Sequence, residues 1–301
     1  QTLQRYTTDQ ASEETAVYLK NILESLDFDT VYFQRYTLSG AEYVAPNIIA
    51  VKNGTKRSDS IYLACAHWDS YASMAPAADD NGTGTFAVLE SARILSKYEF
   101  ERTLVFCLFS GNEFGLSGSK SYVGSLNLDA KIGAVINLDM IGYQEPEQSF
   151  NLGVFPKPGK LDLFDNFIKV QSLYVPSLEI RSDDSYVDNG SDINSFWNNG
   201  FDGLSISESY LTGNYETPYK KTENDLLSIS VNSAEKWDLT TKLSVASLIT
   251  FGKINTTTND IPENENIITE VNNYPNPFTT STQINFQISK SGNISLSIFD
   301  I

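Results

Sequence analysis

Three short apolar runs constrain the fold of this 301-residue chain more than any other feature in it. They lie at 60–66 (SIYLACA), 102–109 (RTLVFCLF) and 132–139 (IGAVINLD). Runs of this length read as strands buried on both faces, and helical periodicity at 83–97 and near 116–126 separates them. Strands that alternate with helices make a mostly parallel sheet covered on both sides. The pattern continues on either flank. A helix at 12–27 puts Ala16, Leu19, Ile22, Leu23 and Leu26 on one face, and strands follow at 30–38 and 47–53. Later come helices at 160–173 and 192–198, a strand at 203–208 and a long helix at 233–252, in which Trp237, Leu243, Ala246 and Ile249 fall on adjoining turns. The expected class is α/β, a mostly parallel mixed sheet flanked by helices on both faces, spanning residues 1–255.

The texture then changes. From Ile254 to Ser289 there is no Lys or Arg, while Asp260, Glu263, Glu265 and Glu270 add only negative charge. The segment 256–272, polar and broken by Pro262, reads as an acidic linker. Residues 273–301 alternate apolar and polar positions around a Ser-Gly-Asn turn, as in the start of a small β-module that stops in mid-strand. At the other end the chain opens on Gln1 rather than Met, so an upstream segment is read as removed.

Charge narrows the function classes. Thirty-eight acidic residues against 21 basic ones give a net charge of −17, which argues against a nucleic-acid partner. No apolar run reaches the roughly 18–20 residues that a membrane-spanning helix needs. Cys65 and Cys107 are too few for a disulfide framework; lying in apolar strand-like runs, they read as buried thiols or as one bridge. A single histidine, His67, rules out any motif that needs two imidazoles, such as HExxH.

Polar residues gather just beyond the ends of the apolar strands. The first run leads into His67-Trp68-Asp69-Ser70 and then Asp79-Asp80-Asn81-Gly82-Thr83-Gly84 at the start of a helix. The second leads into Gly111-Asn112-Glu113, and the third ends at Asp139. Each piece has an ordinary reading: a turn with a helix N-cap, a satisfied strand-end histidine, a carboxylate bound to backbone amides. Together they fall where a doubly wound sheet binds ligands, and one imidazole with several carboxylates suits a divalent metal such as zinc. Asp69, two residues from His67, is placed to orient its ring.

The motifs HWDS, PAADDNGTG, GNEFGLSGSKSYV, GAVINLDMIGY, SDINSFWNNGF and PYKKTENDLL, in this order, resemble the co-catalytic two-zinc aminopeptidase family. That family includes bacterial leucine aminopeptidases, glutaminyl cyclases and the transferrin-receptor ectodomain. The resemblance implies a zinc exopeptidase-like fold, His67 and Asp139 as ligands of one metal, Asp80 as the bridging carboxylate and Glu113 as a ligand of the second metal. It also implies cleavage of unblocked N-terminal residues, with a glutamate as general base. Two positions depart from it. The family's Glu-Glu pair stands here as Asn112-Glu113, so the base position holds an amide. The late histidine of the second metal site is Lys221. Charge counting then suggests one divalent cation plus the Lys221 ammonium in place of two cations, the alternative being that Lys221 faces solvent.

The tail YPNPFTTSTQINFQISKSGNISLSIFDI resembles the C-terminal sorting domain of the Por (type IX) secretion system of Bacteroidetes-type bacteria. It implies secretion or display at the cell surface, with the secretion machinery as a partner. The functional expectation is a secreted metallopeptidase-family protein holding at most one zinc, weak or inactive as a peptidase, that binds peptides or a protein partner. The alternative is a working zinc aminopeptidase, and cyclase activity is the weaker third reading. Phe196, Trp197, Phe201, Tyr210 and Tyr215 are expected mainly as packing, with one or two as pocket lining.

Overall fold

In the computed structural model the described residues are 5–7, 10–38, 43–72, 74–127, 130–146, 152–183, 190–208, 216–255, 268–274 and 283–288. The chain divides into two compact units, Gln1–Asn255 and Thr256–Ile301.

The first unit is built on a mixed eight-stranded sheet. Its strands are β1 (Thr30–Thr37), β2 (Val44–Lys52), β3 (Arg57–His67), β4 (Arg102–Phe109), β5 (Lys131–Leu138), β6 (Leu152–Pro156), β7 (Ile180–Arg181) and β8 (Gly203–Ser207), in the order β1-β2-β4-β3-β5-β8-β6-β7. The central strands β4, β3, β5 and β8 run parallel. The pairs β1–β2, β2–β4 and β6–β8 are antiparallel, so the sheet is parallel where the sequence signal is strongest and mixed outside it. Strands β6 and β7 were not expected from the sequence. Both are short, and β6 (LGVFP) has no alternation to announce it because every residue in it is buried.

Alternation along the central strands divides the core into two layers. Leu104, Phe106 and Leu108 face one cluster, together with Ala64, Ala66, Ile136 and Leu138. Val105, Cys107 and Phe109 face the other, with Leu63, Cys65 and Val135. Helices α1 (Gln10–Glu24), α2 (Gly84–Leu95), α4 (Asp162–Tyr174) and α6 (Ala234–Gly252) cover the first layer. Helices α3 (Ser117–Ser125) and α5 (Ile193–Trp197) cover the second. This is why the strands read as continuous apolar runs: neither face meets water. Cys65 and Cys107 are register partners in β3 and β4, and both are buried free thiols. Phe196 and Trp197 belong to the second layer and Phe201 packs against it, whereas Tyr210 and Tyr215 lie outside the described residues.

In the second unit, β9 (Ile268–Tyr274) and β10 (Gln283–Ile288) form an antiparallel pair, with a register shift at Gln287/Ile288. Strand β9 reaches back into the segment read as an acidic linker at 256–272, so that reading is corrected from Ile268 onward. The segment ITEVNNY, with β-favouring Ile268, Thr269, Val271 and Tyr274, pairs as a strand despite its acidic flank. The Ser-Gly-Asn turn lies outside the described residues.

Helix α2 starts very close to the end of β5. A Cβ at Gly84 would lie 2.3 Å from the Leu138 carbonyl oxygen and 2.4 Å from Asn81 Oδ1. Gly84→Ala is therefore expected to cost about 1–3 kcal/mol in urea denaturation, because backbone on both sides must shift.

Candidate metal centre

The site forms where the chain reverses its path across the sheet. From β3 it crosses through α2 to β4, then returns over β3 through α3 to β5, and the two crossovers lie on opposite faces. Their connections diverge above the end of β3 and leave a crevice there. His67 ends β3, Asp80 lies in the tight turn Ala78–Thr83 before α2, Asn112 and Glu113 follow β4, and Asp139 follows β5.

Three of these side chains converge. One ligand atom each from His67, Asp80 and Asp139 falls within 4.8 Å of the others. His67 Nε2 lies 3.4 Å from Asp80 Oδ1 and 3.4 Å from Asp139 Oδ1. Burial works against an imidazolium here, but Asp139, Asp69 and Asp80 outweigh it and push the His67 pKa well up. The donor set fits a divalent cation: one imidazole nitrogen, two carboxylates and an Asp80 Oδ2 that is buried without a hydrogen-bond partner. On the other side of the ring, His67 Nδ1 lies 3.2 Å from the Asp69 backbone oxygen and 3.4 Å from Asp69 Oδ1.

The Asp69 carboxylate has a wider task than the sequence indicated. It accepts the backbone N–H of Asn112 at 3.2 Å and of Glu113 at 3.3 Å, so it ties the loop after β4 to the end of β3. Glu113 then faces Lys221, whose Nζ lies 2.7 Å from Glu113 Oε2 and 4.9 Å from the centre of the Tyr71 ring. Burial and the Asp80 charge push the Glu113 pKa up, and Lys221 opposes them. Lys221 has a left-handed backbone (φ 63°), which is uncommon for a side-chain-bearing residue, and its side chain is 40% exposed. Asn112, only 8% exposed, lines the same cleft, and its Nδ2 is buried without a partner.

Several residues in the site were not singled out from the sequence. Lys220 lines the cleft with its Nζ 3.4 Å from Glu216 Oε2. Burial disfavours its charge, but Asp80, Glu216 and Asp139 hold its pKa above the ordinary lysine value. Asp225 accepts the backbone N–H of Asp79 at 2.9 Å and of Asp80 at 3.0 Å. Asn81 donates to the Leu138 carbonyl at 2.9 Å and accepts from Met140 N at 3.1 Å and Gly84 N at 3.0 Å, bringing Asp80 to the strand end that carries Asp139. Long sequence separations hide these contacts; the available signals were the Asn in DDNGTG and the Asp in KKTEND.

The cleft holds about 110 Å3. Its lining includes the carboxylates of Asp80, Glu113, Asp139 and Glu216 and the ammonium groups of Lys220 and Lys221. With His67 neutral, four negative charges against two positive ones leave a deficit that one divalent cation would cancel. Chemically, this arrangement can hold a cation beside a small polar ligand.

A family model described as peptidase family M28 matches residues 47–239. Among curated relatives, a probable zinc metalloprotease of Pyrenophora tritici-repentis is 36% identical over 108 residues, covering 33% of this chain and 25% of its own length. The aminopeptidase YwaD of Bacillus subtilis is 40% identical over 100 residues, covering 32% of this chain and 22% of its own. The match thus spans about a quarter of these relatives' length. Among solved structures, LapB from Legionella pneumophila superposes with a TM-score of 0.73 at 24% identity, covering 83% of this chain and 68% of that one, a likeness of fold.

Behind the centre, Asp192 is fully buried, and burial pushes its pKa up to about 6. A carboxyl group raised in the folded state favours folding below its unfolded pKa near 4 and loses that contribution as pH rises through 6. In chelator-treated protein, Asp192→Asn is expected to be nearly neutral at pH 4. Relative to wild type it should gain up to about 3 kcal/mol by pH 7, read from denaturation midpoints across pH.

Proposed function

From the premise that this chain belongs to peptidase family M28, we propose that it is a metallopeptidase-fold protein holding a single zinc ion, with weak or no peptidase turnover, that binds peptides or a protein partner. The observation that carries this reading is the contact between Lys221 Nζ and Glu113 Oε2 at 2.7 Å. Glu113 is the carboxylate that the family resemblance assigns to a second metal, and the ammonium of Lys221, whose side chain is 40% exposed, answers it here. Two positive centres so close would repel, so the Lys221 contact disfavours a second cation. His67, Asp80 and Asp139 would hold the remaining ion, with Asp69 behind the ring. Zinc bound there supplies Lewis acidity toward a peptide carbonyl.

The chain's own residues then define what the site can do. Asn112 occupies the general-base position, and its amide cannot take a proton from an attacking water. Glu113 is the nearest carboxylate in that loop, but Lys221 engages it. Lys220 keeps its charge and offers a donor beside Asp80 and Asp139, suited to orienting a ligand's carbonyl or carboxylate oxygen. Removing a general base costs roughly 10²- to 10⁴-fold in rate, which leaves binding intact while turnover falls.

The second reading is a slow zinc aminopeptidase. The clustering of His67, Asp80 and Asp139, together with relatives named as aminopeptidase and zinc metalloprotease, favours it. We also read the protein as secreted or surface-displayed through its C-terminal tail. The support is the YPNPF-type motif.

Metal analysis of purified protein should give one zinc per chain; two at this centre would overturn the one-ion reading. Hydrolysis of aminoacyl-anilides should be at least about 10²-fold slower than for family members that keep the acidic pair. Asn112→Glu with Lys221→His should raise metal content to two and increase kcat/KM by more than the product of the single effects, since such residues act as a unit. Wild-type turnover equal to that of intact relatives would favour the second reading.

A further inference from the structure

The N-terminal residues Arg5, Tyr6 and Thr7 lie across the loops that carry the centre, although they are more than 60 positions away in sequence. Tyr6 forms a parallel bridge with Ser70, and Ser70 N donates to the Arg5 carbonyl at 3.0 Å. The Tyr6 ring lies 5.5 Å from that of Phe114, the residue after Glu113. Thr7, fully buried, donates from Oγ1 to Asp69 Oδ2 at 3.1 Å. That is the oxygen that also receives Glu113 N.

Arg5 acts on the Asp80 turn. Its Nη2 donates to the Pro76 carbonyl at 3.1 Å and to the Ala77 carbonyl. Ala77 has a left-handed backbone (φ 56°), a conformation that persists in a non-glycine residue only where its surroundings hold it. Asp225 holds the same turn from the other side. Its backbone oxygen accepts Ala78 N, and its carboxylate accepts Asp79 N and Asp80 N. A cation therefore gathers the carbonyls of the turn and an anion gathers its N–H groups. Asp69, Asp225 and Asp80 are the carboxylates whose charges act on the inward-facing guanidinium. One planar donor can serve two carbonyls at once, which an ammonium does less well.

We propose that the Arg5–Thr7 strap is part of the metal centre's scaffold, Arg5 being a positioning residue for Asp80 and Thr7 a positioning residue for Asp69 and, through it, His67. This rests on the reading that His67, Asp80 and Asp139 hold a metal. The strap touches none of those three ligands with its own donors; it sets the loops from which Asp80 and His67 project. Partners of this kind typically govern metal affinity by 10- to 100-fold.

The test measures zinc affinity by chelator competition in the full chain, alongside the visible spectrum of the cobalt-substituted protein and thermal melts of the metal-free form. His67→Ala should abolish tight zinc binding. If it does not, or if the wild type takes up no zinc, the metal reading fails and the scaffold proposal falls with it. Given binding through His67, Arg5→Ala should weaken zinc about 10- to 100-fold and shift the cobalt spectrum, with Arg5→Lys in between. Thr7→Val keeps the side-chain shape, should leave the metal-free melting temperature near wild type, and should weaken zinc several-fold. It carries the test if Arg5→Ala does not fold. Affinities within twofold of wild type, or unaltered cobalt spectra, in the folded strap variants overturn the proposal while leaving the metal reading standing.

Discussion

The reversal of the chain path at β3 is the constraint on which the rest of the structure depends. Because successive parallel crossovers share one hand, turning back across the sheet forces α2 and α3 onto opposite faces. The connections at the carboxyl ends of β3, β4 and β5 then splay around one gap. Each contributes a short polar side chain to that gap, and strand spacing of about 4.8 Å sets how far apart those side chains start. His67, Asp80 and Asp139 meet there because of topology, with Glu113 in the lining of the same cleft, although they are spread over more than 70 residues of sequence.

Concentrating carboxylates at one end of a sheet is costly unless each has a partner. The structure divides them into two groups. Asp69, Asp225 and Glu208 are buried and accept backbone N–H groups, so they act as clamps between loops. Two oxygens on one short side chain can each take a backbone N–H, which suits carboxyl groups to holding irregular backbone. Asp80, Asp139 and Glu113 instead face the cleft, where Lys220 and Lys221 supply opposing charge and the His67 ring lies between Asp80 and Asp139.

Much of the architecture was legible because burial on both faces leaves a strong signal. IYLACA, TLVFCLF and GAVINL could be little other than central strands, and AVLESARIL shows the helical spacing that buries Ala87, Val88, Ala92 and Leu95. His67, Asp69, Asp80, Asn112, Glu113, Asp139 and Lys221, which the structure gathers around one cleft, were legible as candidates because they sit at strand ends or in motifs of fixed spacing. Strands β6, β7 and β9 were missed. The first two are too short for a periodic pattern, and the third lies in an acidic context that resembles a linker. Asn81 and Asp225 escaped notice as site residues for a different reason: their partners are distant in sequence, and nothing local marks an Asn or Asp as a clamp.

The sequence by itself determined the layered α/β class, the place of the strand ends, the single imidazole and the residue types at Asn112 and Lys221. Those are local properties, written in hydropathy period and residue identity. Only the tertiary structure decided that the partly exposed Lys221 side chain reaches Glu113, that Asp69 grips the backbone of the next loop, and that Arg5 and Asp225 clasp the Asp80 turn from opposite sides. These depend on where loops from distant segments end up relative to one another. That is set by crossover handedness, core packing and close approaches such as Gly84 against the Leu138 carbonyl. Charge and hydrogen-bond energies change over fractions of an ångström, and a linear pattern carries no information at that scale.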